Sequence, residues 1–290
     1  MLYVLWIALF TALFWRPLAE LVHYASGNDI ASHILLIPFV SAWLLFLERK
    51  QIFRRVYYDV SAALLIFLLA IGTLGWTLRS SSAGSLTGYT LALTLFWIAG
   101  FALTFGRDAL QAGRFSILFL FLVVPLPSTL LNGIIYSLQK GSAEISAGLF
   151  ELTGVPVLRE GFVFHLSQVS IEVASECSGI RSSMALLILA LLVNHFFLRK
   201  FWKQAVFLVC GILVMIVKNG IRIVTLTLLA SYVDPGFLHG SLHRDGGVVF
   251  FLLGLLLLWP ILWLLRRGET PREESALVSA APTDSKSHNA

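Results

Sequence analysis

The sequence predicts an all-α, polytopic transmembrane helical bundle of about eight spans, with a small extracytoplasmic region made of an amphipathic helix and a hairpin. Hydrophobic residues make up 58% of the 290-residue chain, and the mean hydropathy is +0.85. Charged residues account for 13%, whereas a soluble domain carries about 25%. A soluble fold of this size would need more polar groups to cover its surface, so lipid is the expected solvent.

Apolar runs long enough to cross a bilayer recur along the chain. A spanning helix needs about 20 apolar residues, with a range of about 17 to 25. The apolar N-terminus is not followed by a small-residue cleavage site, so we expect a first span rather than a removed signal peptide. The predicted spans are residues 2–19, 30–47, 59–78, 88–105, 114–130, 180–198, 204–229 and 246–265.

Two stretches between the fifth and sixth predicted spans have a different composition. Residues 131–152 mix apolar with charged and amide side chains, which indicates a helix at the membrane interface or an amphipathic helix packed on the bundle. Residues 155–174 are β-branched and aromatic with polar interruptions, which predicts a small hairpin with Glu160 and Gly161 near its turn. Together they form the expected extramembrane region.

The C-terminal residues differ in composition from the apolar part of the chain. Residues 266–290 are polar and lack periodicity, which is typical of a disordered segment. We therefore expect a transmembrane domain over 1–265, followed by a disordered tail.

Positive charge is concentrated in alternate loops, which sets the expected orientation. Lys and Arg in short loops mark the cytoplasmic side. With eight spans, both termini are then cytoplasmic, while 131–176 and 231–245 lie outside. The net charge of +5 follows from this topology and gives no reason to expect a nucleic-acid partner. The basic segments are 48–55, 106–114, 199–203 and 266–267.

The segment SECSGIRSS, residues 175–183, contains a candidate nucleophile. Cys177 precedes the sixth predicted span, where unpaired N–H groups and the helix dipole favour the thiolate. Arg181, one turn later, would add positive potential. The alternative is that Cys177 is a small packing residue, which is the role that we expect for Cys210 in the middle of the seventh span.

The segment VKNGIRIVT, residues 217–225, contains two basic residues inside the seventh predicted span. Charged side chains at such depth usually face the bundle interior or a wet cavity and are functional candidates. Arg222 would lie near the outer boundary, with Lys218 one turn deeper. Snorkelling to the interface is the alternative, and it fits Arg222 better than Lys218.

Two histidines precede the eighth span on the same predicted outer side. His239 and His243 lie in FLHGSLHRDGG, where a solvated loop histidine is the plain alternative. A Cys, an Arg and a His at one membrane face are the parts of a thiol acyl-transfer site: a nucleophile, an oxyanion partner and a proton carrier. The histidine spacings predict no metal site, and the sequence indicates no cofactor.

At these residues the chain resembles the exosortase/archaeosortase family of membrane-embedded cysteine transpeptidases. The resemblance implies that Cys177 is the nucleophile, Arg222 the essential arginine and His243 the site histidine, chosen over His239 by its H-x-x-x-G spacing. Arg181 and Lys218 are possible supporting residues. The pieces that carry the resemblance are SHILLIPFVSAWLLFLERK, VVPLPSTLLNGIIYSLQKGSAEIS, GVPVLREG, EVASECSGIRSS, NGIRI and the interval from His243 to Gly247.

The resemblance also implies the substrate and the location. Family members act on exported proteins that carry a C-terminal sorting signal: a short motif, Pro-Glu-Pro in the bacterial type, then a transmembrane helix and a basic cluster. The expected enzyme is a cysteine protease or transpeptidase in the bacterial inner membrane, acting on the periplasmic side with an unidentified acceptor nucleophile.

Two other classes of function stay open from the sequence. A membrane glycosyltransferase or polysaccharide ligase in exopolysaccharide export would use Arg222 and His243 but would give Cys177 no task. A transporter or assembly subunit would place polar residues near the midplane of several spans. The first five predicted spans have few such residues.

Overall fold

Apolar helices form most of the described chain, which confirms the predicted all-α polytopic fold. The computed structural model describes residues 1–28, 30–80, 85–166, 169–173, 180–238 and 247–267. The chain divides into two compact units, Met1–Ile134 and Ile135–Ala290.

The first unit is a helical assembly with an aromatic core. Phe10 stacks on Phe96, with ring centroids 4.3 Å apart. The indole N–H of Trp6 donates a hydrogen bond to the carbonyl of Phe96 at 2.8 Å, which ties α1 to α6. The helices of this unit are α1 (Leu2–Leu13), α2 (Trp15–Gly27), α3 (Ile37–Leu47), α4 (Arg49–Ile52), α5 (Val60–Arg79), α6 (Ser85–Ala112) and α7 (Arg114–Leu120), with 3₁₀ turns at Ser32–Leu35 and Phe121–Val123.

Helix α6 is kinked at a glycine. Gly106 has φ +83° and ψ 174°, which interrupts the helical backbone. A side chain is strained at this φ, and a Cβ there would also lie 2.8 Å from the carbonyl oxygen of Tyr57. The kink therefore requires glycine at this position.

The second unit combines helices with a small sheet, and it begins within the helix that follows α7. A buried cluster that includes Ala143, Phe164 and Ile223 packs the sheet against two of the helices. The elements are α8 (Ser128–Thr153), β1 (Leu158–Glu160), β2 (Val163–His165), β3 (Ser170–Glu172), α9 (Ile180–Phe197), α10 (Phe201–Tyr232), a 3₁₀ turn at Pro235–Leu238 and α11 (Gly247–Arg266).

The predicted hairpin is present, and a further strand extends it. Strands β1 and β2 pair antiparallel with Glu160 opposite Val163, so Gly161 and Phe162 form the turn. Gly161 has φ +63°, a conformation that glycine adopts without strain. Strand β3 pairs antiparallel with β2, which makes a three-stranded sheet rather than a simple hairpin.

The described chain has fewer full-length spanning helices than the eight spans predicted. Four helices are long and apolar enough to cross a membrane, and two bent pairs bring the number to six if each pair is one span. The remaining predicted spans, 30–47 and 180–198, correspond to the shorter apolar helices Ile37–Leu47 and Ser182–Phe197. Hydropathy detects apolar length, but it does not detect where the backbone turns.

The bends in the predicted first and fifth spans lie near prolines. Helix α1 ends at Leu13, and the chain turns by 77° into α2, which has Pro17 in its first turn. Helix α7 and its 3₁₀ extension meet α8 at 96°, with Pro125 and Pro127 between them. Proline lacks an N–H and disfavours helical backbone at the preceding residue, so an apolar run that contains it is readily broken.

Candidate functional site

Lys218 is a buried cation at a junction of three helices in the second unit. Its side chain is 1% exposed, and Nζ donates a hydrogen bond to Oγ of Ser182 on α9. A Cβ at Gly254 on α11 would lie 3.4 Å from Cδ of Lys218, so the absence of a side chain there makes room for the lysine stem. A buried ammonium needs a polar partner, and Ser182 provides one.

Polar contacts also join α8 to α10 beside Lys218. Nδ2 of Asn219 donates to Oγ of Ser142 at 3.0 Å, and Oγ of Ser146 donates to the carbonyl of Gly220 at 3.4 Å. A Cβ at Gly220 would lie 2.6 Å from Cγ2 of Ile145, so the two helices are in backbone contact at this point. Small and hydroxylated residues are the usual components of such close helix contacts in membranes.

Arg222 lies one helical turn after Lys218 on α10 and is half-buried. The two residues that follow it, Ile223 and Val224, belong to the buried cluster that also contains Phe164 and Val173. Arg222 therefore lies on α10 between the buried Lys218 and the residues Ile223 and Val224 that contact the sheet.

Helix α9 runs antiparallel to α10 and begins near Lys218, one turn before Arg222 on α10. Near its end, Asn194 donates through Nδ2 to the carbonyl of Gln204 at 3.3 Å. Near its start, Ser182 accepts the hydrogen bond from Lys218. These two contacts fix the direction of α9 relative to α10.

Helix α11 has the same orientation as α9. Nζ of Lys203 donates to the carbonyl of Leu265 at 2.7 Å, while Gly254 faces Lys218. Gly247 is seven residues before Gly254, which places the start of α11 roughly 10 Å beyond Lys218 along the axis, past the level of Arg222. Both α9 and α11 thus begin at the Arg222 end of α10.

Several of the predicted site residues fall outside the described part of the chain. Cys177 lies in 174–179, and His239 and His243 lie in 239–246. The side chain of Arg181 is also not described. Of the predicted site residues, the structure describes the side chains of Arg222 and Lys218, which lie one turn apart on α10.

The described ends of the Cys177 segment both contact elements around Arg222. Val173 is fully buried in the cluster with Ile223 and Val224, and its carbonyl accepts a hydrogen bond from Nε2 of Gln139. Beyond the segment, Ile180 opens α9, two residues before the contact of Ser182 with Lys218. The two ends therefore flank the stretch of α10 that contains Arg222.

One end of the histidine segment lies further along α10 than Arg222, and the other lies near the level of Arg222. The 3₁₀ turn Pro235–Leu238 packs against α10. The N–H groups of Val233 and Asp234 donate to the carbonyl of Leu229 at the end of α10, and the N–H of Phe237 in the turn donates to the carbonyl of Asp234. At the other end, Gly247 begins α11 near the level of Arg222.

The sheet carries its own polar contacts next to α8. Arg159 on β1 donates two hydrogen bonds to the carboxylate of Glu144 on α8, at 2.8 and 3.0 Å, and this ion pair raises the pKa of Arg159. His165 on β2 is within 2.8 Å of Oγ of Ser170 through Nδ1, and its Nε2 is 3.8 Å from Glu160. The Arg159–Glu144 pair joins the sheet to α8, while the contacts of His165 lie within the sheet.

Three polar residues in this region were not singled out by the sequence analysis as site candidates. Gln139, Ser142 and Ser182 each bond to a residue that is 34 to 77 positions away along the chain. Their one signal in the sequence is the presence of polar side chains within otherwise apolar helices. That signal identifies a polar face but does not identify its partners.

No group of three or more His, Cys, Asp or Glu residues that could hold a metal ion occurs among the described residues. The expected absence of a metal site stays a prediction, since Cys177, His239 and His243 are not described. What the described residues offer is a half-buried guanidinium, a buried ammonium and hydroxyl and amide partners. Such a set can stabilise negative charge that develops on a substrate oxygen.

Comparison with known proteins identifies one matching family. The family model described as transmembrane exosortase matches residues 24–260, which is most of the chain. Searches of the curated proteins and of the solved structures found no match.

Proposed function

Because the chain belongs to the transmembrane exosortase family, we propose that it is a cysteine transpeptidase that cleaves C-terminal sorting signals from exported proteins. Its substrates would carry the short motif, transmembrane helix and basic cluster that the resemblance implies, with Pro-Glu-Pro as the bacterial motif. The observation that carries the proposal is that both ends of the Cys177 segment, and the α11 end of the His243 segment, lie near the stretch of α10 that contains Arg222.

Chain length supports the proximity of the three groups. Cys177 is four residues from Val173 and five from Ser182. A fully extended chain would span at most about 14 Å to Val173 and about 18 Å to Ser182. His243 is four residues from Gly247, a similar reach. Those anchors lie around Arg222, so a shared site needs no rearrangement of the described helices.

The proposed reaction proceeds in two steps. His243 accepts the thiol proton of Cys177, and the sulfur attacks the carbonyl carbon of the scissile peptide bond. The C–N bond breaks, His243 returns the proton to the leaving amine, and a thioester remains on Cys177. An acceptor nucleophile then attacks the thioester, loses its proton to His243 and releases the thiolate, which is protonated again.

Arg222 is proposed to stabilise the oxyanion that forms in each step. A guanidinium near the substrate carbonyl oxygen would hold developing negative charge where water is scarce. Lys218 is assigned a positioning role, because its hydrogen bond to Ser182 holds the start of α9 beside Arg222. Arg181 would add positive potential near Cys177.

The site is proposed to face the periplasm, with both termini in the cytoplasm of a bacterial inner-membrane protein. Lys203 and Arg266 lie at the opposite end of the second unit from Arg222. Lys203 and Arg222 are nineteen residues apart on α10, about 28 Å along the axis, which is close to the ~30 Å hydrocarbon core. The positive-inside rule assigns the Lys203 end to the cytoplasm.

Processing of a tagged precursor that carries a Pro-Glu-Pro signal tests the proposal. We expect Cys177→Ala to reduce cleavage by at least roughly 10³-fold, because it removes the nucleophile. Cys210→Ser is the matched control and should retain cleavage. We expect His243→Ala to abolish processing and His239→Ala to preserve it.

Two results would contradict the mechanism. Undiminished cleavage by Cys177→Ala would exclude thiol catalysis. Full activity of Cys177→Ser on a saccharide substrate, together with loss in Arg222→Ala, would favour the glycosyltransferase class. Membrane abundance of every variant, measured by immunoblot, separates loss of catalysis from loss of protein.

A further inference from the structure

An apolar groove lies between α9 and α11, at the end of the second unit away from Arg222. Its volume is about 610 Å³, within the range of pockets that hold small-molecule ligands. Phe207 of α10 also lines it. We call it the α9–α11 groove, and its apolar lining includes Leu189, Val193, Phe207, Leu255 and Leu262.

Two arginines stand at one end of the α9–α11 groove. The guanidinium of Arg266 lies over the ring of Phe197 at 4.7 Å, and that of Arg267 lies over the ring of Trp263 at 3.6 Å. All four residues line the groove. The ring contacts orient the guanidinium planes, and Arg binds phosphate oxygens with two parallel hydrogen bonds.

Lys203 makes this end of the groove more favourable to an anion. The last carbonyl groups of a helix carry partial negative charge and would repel a phosphate. The buried ammonium of Lys203 donates to the carbonyls of Leu265 at 2.7 Å and Arg267 at 3.2 Å. The ammonium of Lys203 therefore reduces the negative field of the terminal carbonyls that would oppose an anion at the two guanidiniums.

The length of the groove favours a lipid acyl chain over a transmembrane helix as its ligand. From Leu255 to Arg266, α11 extends about 17 Å, roughly half of the ~30 Å hydrocarbon core. A transmembrane peptide helix would need a surface across the whole core, whereas a lipid acyl chain occupies one leaflet. The basic cluster of a sorting signal would also be repelled by Arg266 and Arg267.

We propose that the α9–α11 groove binds an anionic phospholipid, with an acyl chain along the groove and the phosphate on Arg266 and Arg267. The phosphate end of the groove, at the level of Lys203, lies about 28 Å along α10 from Arg222, and no residue that lines the groove has a role in the proposed catalysis. It takes its lipid from the leaflet opposite to the one that borders Arg222.

Native mass spectrometry of the full-length protein in detergent tests the site. Phosphatidylglycerol and phosphatidylcholine with identical acyl chains are added separately, and binding is titrated. We expect tighter binding of phosphatidylglycerol, and a loss of roughly 30-fold in its affinity in the double variant R266Q/R267Q. The matched control R54Q/R55Q removes the same charge from two exposed arginines of the first unit and should leave the affinity unchanged.

A groove-filling variant provides the second measurement. Val193→Trp should reduce binding of both lipids, since it occupies the space of the acyl chain. Equal affinity for the two lipids, or an equal loss in R54Q/R55Q, would overturn the proposal. So would photocrosslinking from Leu262 to a second copy or to a substrate helix in place of lipid. Thermal unfolding of each variant without added lipid verifies that the fold is retained.

Discussion

Gly220 allows α8 and α10 to approach each other in the second unit. A Cβ at this position would lie 2.6 Å from Cγ2 and 2.9 Å from Cβ of Ile145. The contact also brings Oγ of Ser146 to the carbonyl of Gly220. The polar residues Ser142 and Asn219 meet because the two backbones are close.

We expect Gly220→Ala to destabilise the protein by about 1–3 kcal/mol, because the added methyl overpacks the contact with Ile145. The matched control is Gly148→Ala on α8, where a Cβ would have no neighbour within 4 Å. Alanine is the better helix former by up to about 1 kcal/mol, so the control should be neutral or stabilised. Thermal unfolding in detergent measures both, and a Gly220→Ala protein as stable as the control would contradict the close contact.

Lys218 is a residue whose need for a polar partner was predictable from the sequence. A lysine within an apolar span predicts a functional or structurally paired charge. The described structure buries it and gives it a hydroxyl partner, Ser182, 36 positions earlier in the chain. The residue type predicted that a partner exists, and the fold determined which residue it is.

At the scale of elements, helix α5 has a well-defined start. The side chain of Asp59 accepts hydrogen bonds from the N–H of Ala62 at 3.0 Å and from Oγ of Ser61 at 2.8 Å. The bond from Ala62 satisfies an N–H that has no partner within the helix. It also lowers the pKa of Asp59, together with the bond from Ser61.

The lowered pKa of Asp59 predicts a pH dependence. The folded-state pKa is below the unfolded value of about 3.9, so the cap contributes its full stability above that value. The contribution is lost as the pH falls through the folded-state pKa. We expect Asp59→Ala to unfold at a lower temperature than the wild type at pH 6, and the difference to shrink below about pH 4.

Asp59→Asn is the control for the cap, since an amide oxygen also accepts from helix N–H groups. This variant should unfold near the wild-type temperature at pH 6 and show a weaker dependence on pH between 3 and 6. A difference between wild type and Asp59→Ala that stays constant over that range would contradict the role of the ionised carboxylate.

The bent helices show that an apolar run in the sequence does not always form one continuous helix. Residues 2–19 and 114–130 are apolar enough to predict spans, yet the backbone bends by 77° and 96° near them. Pro17, Pro125 and Pro127 lie at or beside these bends. Proline was visible in the sequence, but prolines are also tolerated within transmembrane helices, so their presence alone does not predict a break.

At the scale of the whole molecule, the proposed orientation in the membrane rests on the distribution of charge. Basic residues cluster in alternate loops, and those loops are expected in the cytoplasm. The proposed periplasmic site depends on this orientation, because the proposed exported substrates would be processed after they cross the membrane.

Labelling of single cysteines tests the orientation directly. In a Cys177→Ser, Cys210→Ser background, Glu160→Cys and Arg54→Cys place one thiol on the sheet and one in the 48–55 loop, both at exposed positions. A membrane-impermeant maleimide should label Glu160→Cys in cells with a permeabilised outer membrane and Arg54→Cys only after lysis. Labelling in the reverse order would contradict the proposed topology.

Much of the fold was predictable, and the candidate site was predictable in part. The composition predicted a polytopic helical protein, and the residues before and after Gly161 predicted the turn between β1 and β2. The positions of Arg222 and Lys218 within an apolar helix predicted that they would face the bundle interior, and the structure buries Lys218 and half-buries Arg222, while their roles in a site stay predictions. The third strand, the bends and the partners of Lys218 were not predicted.

The sequence by itself determined the solvent, the helical class, the charge asymmetry and the residue types available for catalysis, because these are properties of local composition and spacing. The tertiary structure decided which helices start at the Arg222 end of α10 and which residue receives the hydrogen bond of Lys218. Those features depend on contacts such as Lys218 with Ser182 and Asn219 with Ser142, which join residues 36 and 77 positions apart. Spacing along one chain does not determine contacts at such separations, since they form only when helices pack.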